Sequence, residues 1–415
     1  MKKIFALALA AAAVVACSKN ENVENGGEPT PGQSQQLKVL TSINTQTKTA
    51  VDGVVLPQGS DIGVHVVTGT PEGNDEAVFV PSRTSSYDGF GGSYYDDGKN
   101  VRFENATGVN TWTSTAKDGT AKLLLFSGSE TARVYGYYPY TDDANLQGVG
   151  AEATVPVTIL NTGTIKVGDA DPETNNPEDP DALAATAADE IDYMFDATVD
   201  PANKVGAQTT TTANLTLKHA LSRVSFRMYT SAEAQPAIQG DNDSKYLFVG
   251  YVIKNKSGQS ELKASTEDGG ATMKISDGAI VGDKVGGEIS RTIEGYVMQK
   301  ADENTDDANK TAADKSYRVS NLMFPHNDNL STSDGKKTDK IEVVFMISRS
   351  NADGTTVSEP IGYALPFAIE TGKSEKWEAG KNYTYTVKFT GNALSIETVT
   401  VTKWDEVVGG SMEIE

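Results

Sequence analysis

Asn392-Ala-Leu-Ser-Ile-Glu-Thr-Val-Thr-Val-Thr-Lys-Trp-Asp405 decides the fold. Leu394 and Ile396 share one parity, Val399 and Val401 the other, and threonines stand at 398, 400 and 402, so apolar residues recur with the period of two that a strand requires. The parity changes near Glu397. A one-residue slip flips the buried face unless an extra residue absorbs it, so the stretch predicts a strand up to Trp404 with a bulge or bend at Glu397. Such a strand either completes its own domain or is lent to a neighbour.

The 415 residues leave room for two domains, and short β-branched runs recur between clusters of Gly, Asp, Asn and Thr. That composition predicts an all-β protein. The formal charge of -21 keeps a protein soluble and repels phosphate backbones and anionic headgroups, so no nucleic acid partner is expected. A single cysteine excludes an intrachain disulfide.

Upstream, Met1-Lys-Lys is followed by an apolar run from Ile4 to Ala16 and then by Cys17. The run is shorter than a bilayer span and has the shape of a cleaved signal peptide, residues 1–16. Ser18 to Gln36 is polar and reads as a tether. Leu37-Lys-Val-Leu-Thr-Ser-Ile43 is the first strand candidate, with Leu37, Val39, Thr41 and Ile43 on one face. Lys48-Thr49 then leads into a turn. A basic residue there suits a trypsin-like protease, and equally an ordinary edge strand that ends in lysine.

Residues 59–67 form a strand on Ile62, Val64 and Val66, with His65 on the other face. Ser82 to Asn100 is a long loop or hairpin, and Trp112 and Tyr137-Tyr-Pro-Tyr140 add aromatics to a first core. The carboxylate-rich and proline-rich loop 167–181 lacks the glycine of an EF-hand, so a solvated loop is expected and no metal is assigned. Ala182 to Asp189 is the one stretch that predicts a short helix. From Thr209 to Tyr229 the apolar parity switches around Ser222, which predicts a long strand with a bulge that enters a second domain. His219 on the apolar parity is expected to be a hydrogen-bonded core histidine. Strand signals at 246–253, 292–298, 320–325, 340–347, 361–367 and 382–389 complete a second sandwich.

His65, His219 and His326 lie in unrelated segments. No nucleophile with its base, metal-ligand run or phosphate-binding glycine loop is present, so the chain is expected not to be an enzyme and to take no cofactor.

Several motifs carry a resemblance across nearly the whole length. Val14-Val-Ala-Cys17 resembles the bacterial lipobox. Thr47-Lys-Thr-Ala50 with Asp61-Ile-Gly-Val64, Tyr137-Tyr-Pro-Tyr140, Asp192-Tyr-Met194, Leu217-Lys-His-Ala-Leu-Ser-Arg-Val-Ser-Phe226, Trp377-Glu-Ala-Gly-Lys-Asn-Tyr383 and the ending with Trp404 follow in order. In that order they resemble the fimbrillins, lipoprotein-derived subunits of the type V pili of Bacteroidales.

The resemblance implies two tandem transthyretin-like β-sandwiches after a lipoprotein signal peptide: a lipidated tether with a removable first strand at 17–48, then domains at 49–212 and 213–415. It implies lipidation at Cys17 and export to the outer membrane. A Lys/Arg-specific surface protease cuts between Lys48 and Thr49, and the strand carrying Leu37, Val39 and Ile43 leaves. A C-terminal donor strand carrying Leu394, Ile396, Val399, Val401 and Trp404 from another pilin subunit then enters the vacated groove, building an extracellular, adhesive fimbria from stalk or tip subunits. Family stalk subunits carry Arg at the cut, where this chain has Lys48, and Lys38 is a competing site. The alternative is a surface lipoprotein or adhesin that holds glycan or a host protein and forms no polymer.

Overall fold

The structure is a computed structural model that describes residues 35–43, 56, 58–69, 75–82, 93–106, 112–167, 184–196, 204–207, 211–236, 244–258, 262, 270–281, 287–302, 308–326, 340–352, 358–366 and 376–404. The fold is nearly all β, as its composition predicts.

The first sheet is built from β1 (Lys38–Ile43), β2 (Asp61–Thr68), β3 (Val101–Asn105), β4 (Trp112–Ser114), β5 (Thr131–Tyr138), β6 (Met194–Asp196) and β7 (Thr212–His219). Across the sheet they run β1-β7-β6-β5-β2-β3-β4, so β1 lies at one edge. Alternation sets the buried face: Ala213, Leu215, Leu217 and His219 of β7 are buried and the residues between them are not. A core containing Leu37, Val39, Ile62, Val64, Phe103 and Leu215 fills the space under this sheet. In β2 the opposite face is buried as well, so His65 is fully covered.

The second core lies between two further sheets. Their main strands are β8 (Ser222–Thr230), β9 (Lys245–Asn255), β10 (Glu288–Glu294), β11 (Arg318–Met323), β12 (Ile341–Ser350), β13 (Ile361–Pro366), β14 (Lys381–Phe389) and β15 (Leu394–Lys403). One sheet runs β10-β9-β12-β13 with Thr162–Lys166 added beside β10, and the other runs β11-β8-β14-β15 with Ala184–Thr186 added beside β11. Phe226 of β8 meets Tyr251 and Phe345 edge-on at centroid distances of 4.9 and 5.2 Å, the favoured geometry for ring quadrupoles. All nine positions of β8 are buried.

The stretch expected as one bulged strand from Thr209 to Tyr229 is two strands. β7 ends at His219, the chain turns through Ala220 and Leu221, and β8 enters a different sheet. The parity switch therefore marks a change of sheet. Leu146, Val155, Val157, Ile159 and Ile165 pack in the second core, although they precede β7 in sequence.

The helix expected over Ala182–Asp189 is a correction. Ala184–Thr186 is a strand, parallel to Arg318–Ser320, and the α-helix among the described residues is Ala308–Asp314. Pairing on an open sheet edge outweighs the modest helix preference of alanine. Ala312 and Ala313 of the true helix pack on Tyr229 and Ala301.

Candidate functional site

The two strands singled out in the sequence are both edge strands, and one element connects their seats. β1 lies parallel to β7 in an unbroken register from Lys38 opposite Thr212 to Ile43 opposite Leu217. Just before it, Gln35–Gln36 runs antiparallel to Leu125–Phe126, and the Leu37 N–H donates to Leu124 O at 2.9 Å. Leu37, Val39 and Thr41 are each at most 3% exposed. The indole N–H of Trp112 on β4 donates to Thr41 Oγ1 at 2.9 Å. The first strand thus fills a slot whose walls are β7 on one side and Trp112 with the 124–126 segment on the other. Full burial of Leu37 and Val39 contributes about 1.5–3 kcal/mol each.

β15 pairs antiparallel with β14 from Lys403 opposite Lys381 to Leu394 opposite Phe389. The register shifts between Thr386, opposite Thr398, and Val387, opposite Ile396, which leaves Glu397 as the extra residue. The bulge stands where the sequence places it. Because the slip is absorbed, Leu394 and Ile396 pack against the second core together with Val399 and Val401, each half-buried. Glu397 itself is exposed, 3.2 Å from Lys388 Nζ. Among the described residues β15 pairs only with β14, so its outer edge is open.

Trp404 pins the end of β15. It is 1% exposed, and its N–H donates to Gly380 O at 2.7 Å. Its ring lies flat on His219, with centroids 4.0 Å apart and planes 1° from parallel, and the Arg223 guanidinium is 5.9 Å from its centroid. His219 Nδ1 is hydrogen-bonded to Asp192 Oδ2 at 2.7 Å, both side chains being buried. His219 is the hydrogen-bonded core histidine that its parity predicts. It is also the last residue of β7, so the strand that seats β1 ends on the ring that holds β15.

Two polar clusters fix neighbouring turns. Glu190 takes the Arg291 guanidinium in a buried ion pair and accepts from the Leu322 N–H at 2.8 Å, which holds the 187–193 turn against β10 and β11. His65 donates from Nδ1 to Lys99 O at 2.7 Å and accepts at Nε2 from the Gly150 N–H at 2.9 Å, the arrangement of a neutral ring. Burial lowers the pKa of His65. Glu76 accepts from the Tyr135 hydroxyl and from the Ala151 N–H, each at 2.8 Å, and desolvation pushes the Tyr135 phenol up to about 12.

Cys17, Lys48, Thr49 and, of the acidic loop 167–181, all but Val167 lie outside the described residues, as does the side chain of Ile43. Among the described residues no group of three or more His, Cys, Asp or Glu is placed to hold a metal. The roles of Trp112, Asp192 and Arg223 were not legible in the sequence. Asp192 carried a signal only as part of Asp192-Tyr-Met194, and contacts across two sheets leave no local pattern.

The fold and these two seats define a nearly all-β chain in which a buried edge strand opens one sheet and a bulged edge strand closes another. The chain belongs to the fimbrillin-like family, whose model matches residues 47–404, and the family supports a pilus- or adhesin-type surface protein. No curated protein matches it. It is similar to a candidate cell adhesion protein from Bacteroides ovatus (14% identity, 90% of this chain and 98% of that one, TM-score 0.47). A fimbrial protein from Bacteroides vulgatus matches at 12% identity over 89% of this chain and 100% of that one, with a TM-score of 0.46. A candidate cell adhesion protein from Bacteroides uniformis matches at 14% identity over 89% and 98%, with a TM-score of 0.41.

Proposed function

We propose that this chain is a stalk or tip subunit of a surface fimbria, exported as a lipoprotein anchored through Cys17 in the outer membrane. A Lys/Arg-specific surface protease cuts after Lys48, the segment carrying β1 leaves, and the C-terminal strand of another subunit takes its place. Two sandwich domains carry these strands, and their border falls after β7, at Ala220–Leu221 rather than at 212/213, because Ala213, Leu215 and Leu217 belong to the first sheet and core. Leu146, Val155, Val157, Ile159, Ile165 and Val167 of the first half pack in the second core.

The observation that carries this reading is the seat of β1. Leu37 and Val39 are buried core residues, yet Val39 sits on an edge strand parallel to β7, Leu37 immediately precedes it, and both are joined to the rest of the chain through a segment containing Lys48. Its loss uncovers an apolar slot and the unpaired edge of β7, a costly surface that strand addition covers.

The test uses the chain without its lipid, treated with a Lys/Arg-specific protease and followed by mass and oligomeric size. One cut after Lys48, followed by slow growth of SDS-resistant ladders that vanish when residues 394–415 are deleted, is the expected result. A cut protein that stays monomeric with β15 intact overturns polymerisation and leaves the adhesin reading.

A further inference from the structure

The slot that holds β1 is straight, whereas β15 in its present place is not. β1 and β7 pair without a register shift, so any strand that replaces β1 in kind presents alternate residues to the first core. The inward positions are those of Val39 and Thr41 in β1 and, in the same alternation, Leu37 immediately before it, whose N–H is bonded to Leu124 O. β15 directs both of its apolar pairs to one core only because Glu397 is bulged out against β14. Laid flat, it offers one parity or the other. The even parity carries Leu394, Ile396, Thr398, Thr400 and Thr402 with no charge, and the odd parity carries Glu397 and Lys403 beside Val399 and Val401.

Resting on the strand-exchange reading above, the geometry points to a donated strand in which the Glu397 bulge is lost and a second copy of this chain inserts Leu394, Ile396 and Thr398 where Leu37, Val39 and Thr41 now sit. Leu-x-Ile-x-Thr reproduces Leu-x-Val-x-Thr in residue type and direction. Thr398 then brings a hydroxyl to the Trp112 indole N–H, which Thr41 now satisfies. Without a hydroxyl there, this hydrogen bond is lost.

The odd parity fails in each placement over the same slot. With Val399 at the Val39 position, Glu397 falls on the Leu37 position, which is 1% exposed. With Val399 at the Leu37 position, Lys403 falls on the Thr41 position, which is 3% exposed. With Val399 at the Thr41 position, Glu397 falls on the Val39 position, also 3% exposed. Burial of an unpaired charge opposes insertion in all three cases. Val399 and Val401 therefore serve the strand only in its own chain, and face away from the groove in the neighbour.

Two grafts into the otherwise full chain test this without requiring polymer. The first writes residues 394–400 over 37–43 through Lys38→Ser, Val39→Ile, Leu40→Glu, Ser42→Val and Ile43→Thr. The second writes residues 397–403 there through Leu37→Glu, Lys38→Thr, Leu40→Thr, Thr41→Val, Ser42→Thr and Ile43→Lys. The first graft is expected to melt within about 5 °C of the parent and the second at least about 10 °C lower. Equal melting, a more stable second graft, or two grafts that both fail to fold overturns the inference.

A second measurement reads the donor end in protease-treated chains. Ile396→Ser is expected to lower multimer yield about tenfold, while Val399→Ser leaves it within about twofold of the parent, although both side chains are half-buried in the monomer. Equal losses count against the register. If the parent forms no multimers after the cut, the strand-exchange reading falls, and the grafts still decide whether the slot accepts this face of the strand.

Discussion

Trp404 rests on His219, the last residue of the strand that seats β1. Its indole is buried, the His219 ring stacks on it, Asp192 is hydrogen-bonded to that histidine, and the Arg223 guanidinium lies 5.9 Å from the indole centroid. Trp404→Ala leaves a cavity the size of an indole and is expected to cost about 3–5 kcal/mol, measured by urea unfolding. Trp404→Phe keeps a ring over His219 and is expected to recover part of that loss. His65 gives a pH dependence of definite sign. Burial lowers its pKa, so below the ordinary value of about 6.5 the unfolded chain binds a proton that the folded chain refuses. Its contribution is therefore fully present above about pH 6.5 and is lost as pH falls toward the lowered folded value, where a protonated Nε2 would oppose the Gly150 N–H. Unfolding free energies at pH 8 and pH 5.5 are expected to differ less in His65→Gln than in the parent. Gly150 has φ +61°, and a Cβ there would lie 2.0 Å from Glu76 Oε2. Gly150→Ala strains the backbone and displaces Glu76 from Tyr135 and Ala151, for an expected loss of about 1–3 kcal/mol.

At the level of the element, the Glu397 bulge lets a sequence with two parities use one face. Deletion of Glu397 removes the extra residue and leaves Leu394, Ile396, Val399 and Val401 on one parity, so all four keep their present partners on β14 and their packing on the second core without a bulge. The expected result is a melting temperature equal to or above that of the parent, with hydrogen exchange over the remaining residues of 394–403 no faster than in the parent, whereas a lower melting temperature would show that the bulge itself is needed. The first strand gives a second prediction. Lys38 is exposed, but its backbone N–H is bonded to Thr211 O at 2.7 Å and the residue is paired with Thr212, so a protease cannot lay it into its own cleft without breaking the strand. In brief digests, cleavage after Lys38 is expected to trail cleavage after Lys48, and peptide mass mapping reads the order. These elements also show what the sequence discloses. Period two in β15 and the slip at Glu397 are local, so bulge and strand were both legible. The switch near Ser222 was legible as a break but not as a change of sheet, because parity records which face is buried and not which partner buries it. Ala184–Thr186 misled because its alanines favour helix, while its pairing with β11 comes from residues more than a hundred positions away.

In the whole molecule, the order of events in the proposed strand exchange turns on β7. This strand carries β1 along one edge, continues through Ala220 and Leu221 into the fully buried β8, and ends at the His219 ring under Trp404. Removal of β1 deprives β7 of a partner strand and of the packing of Leu37 and Val39, while β8 remains paired with both β11 and β14. Loosening therefore has a fixed end at β8 and a free end at the N-terminal half of β7, with His219 between them. The Trp404 end of β15 rests on that intermediate point, whereas the Leu394 end packs against the second core. Loss of the first strand is thus expected to speed hydrogen exchange over residues 399–404 more than over 394–398, so that release of the donor strand starts at Trp404. Trp404→Ala in the uncut chain is expected to produce the same gradient without proteolysis. Uniform exchange along β15 after the cut, or none above that of the intact chain, would separate the two seats and leave the donor strand to open independently of the groove.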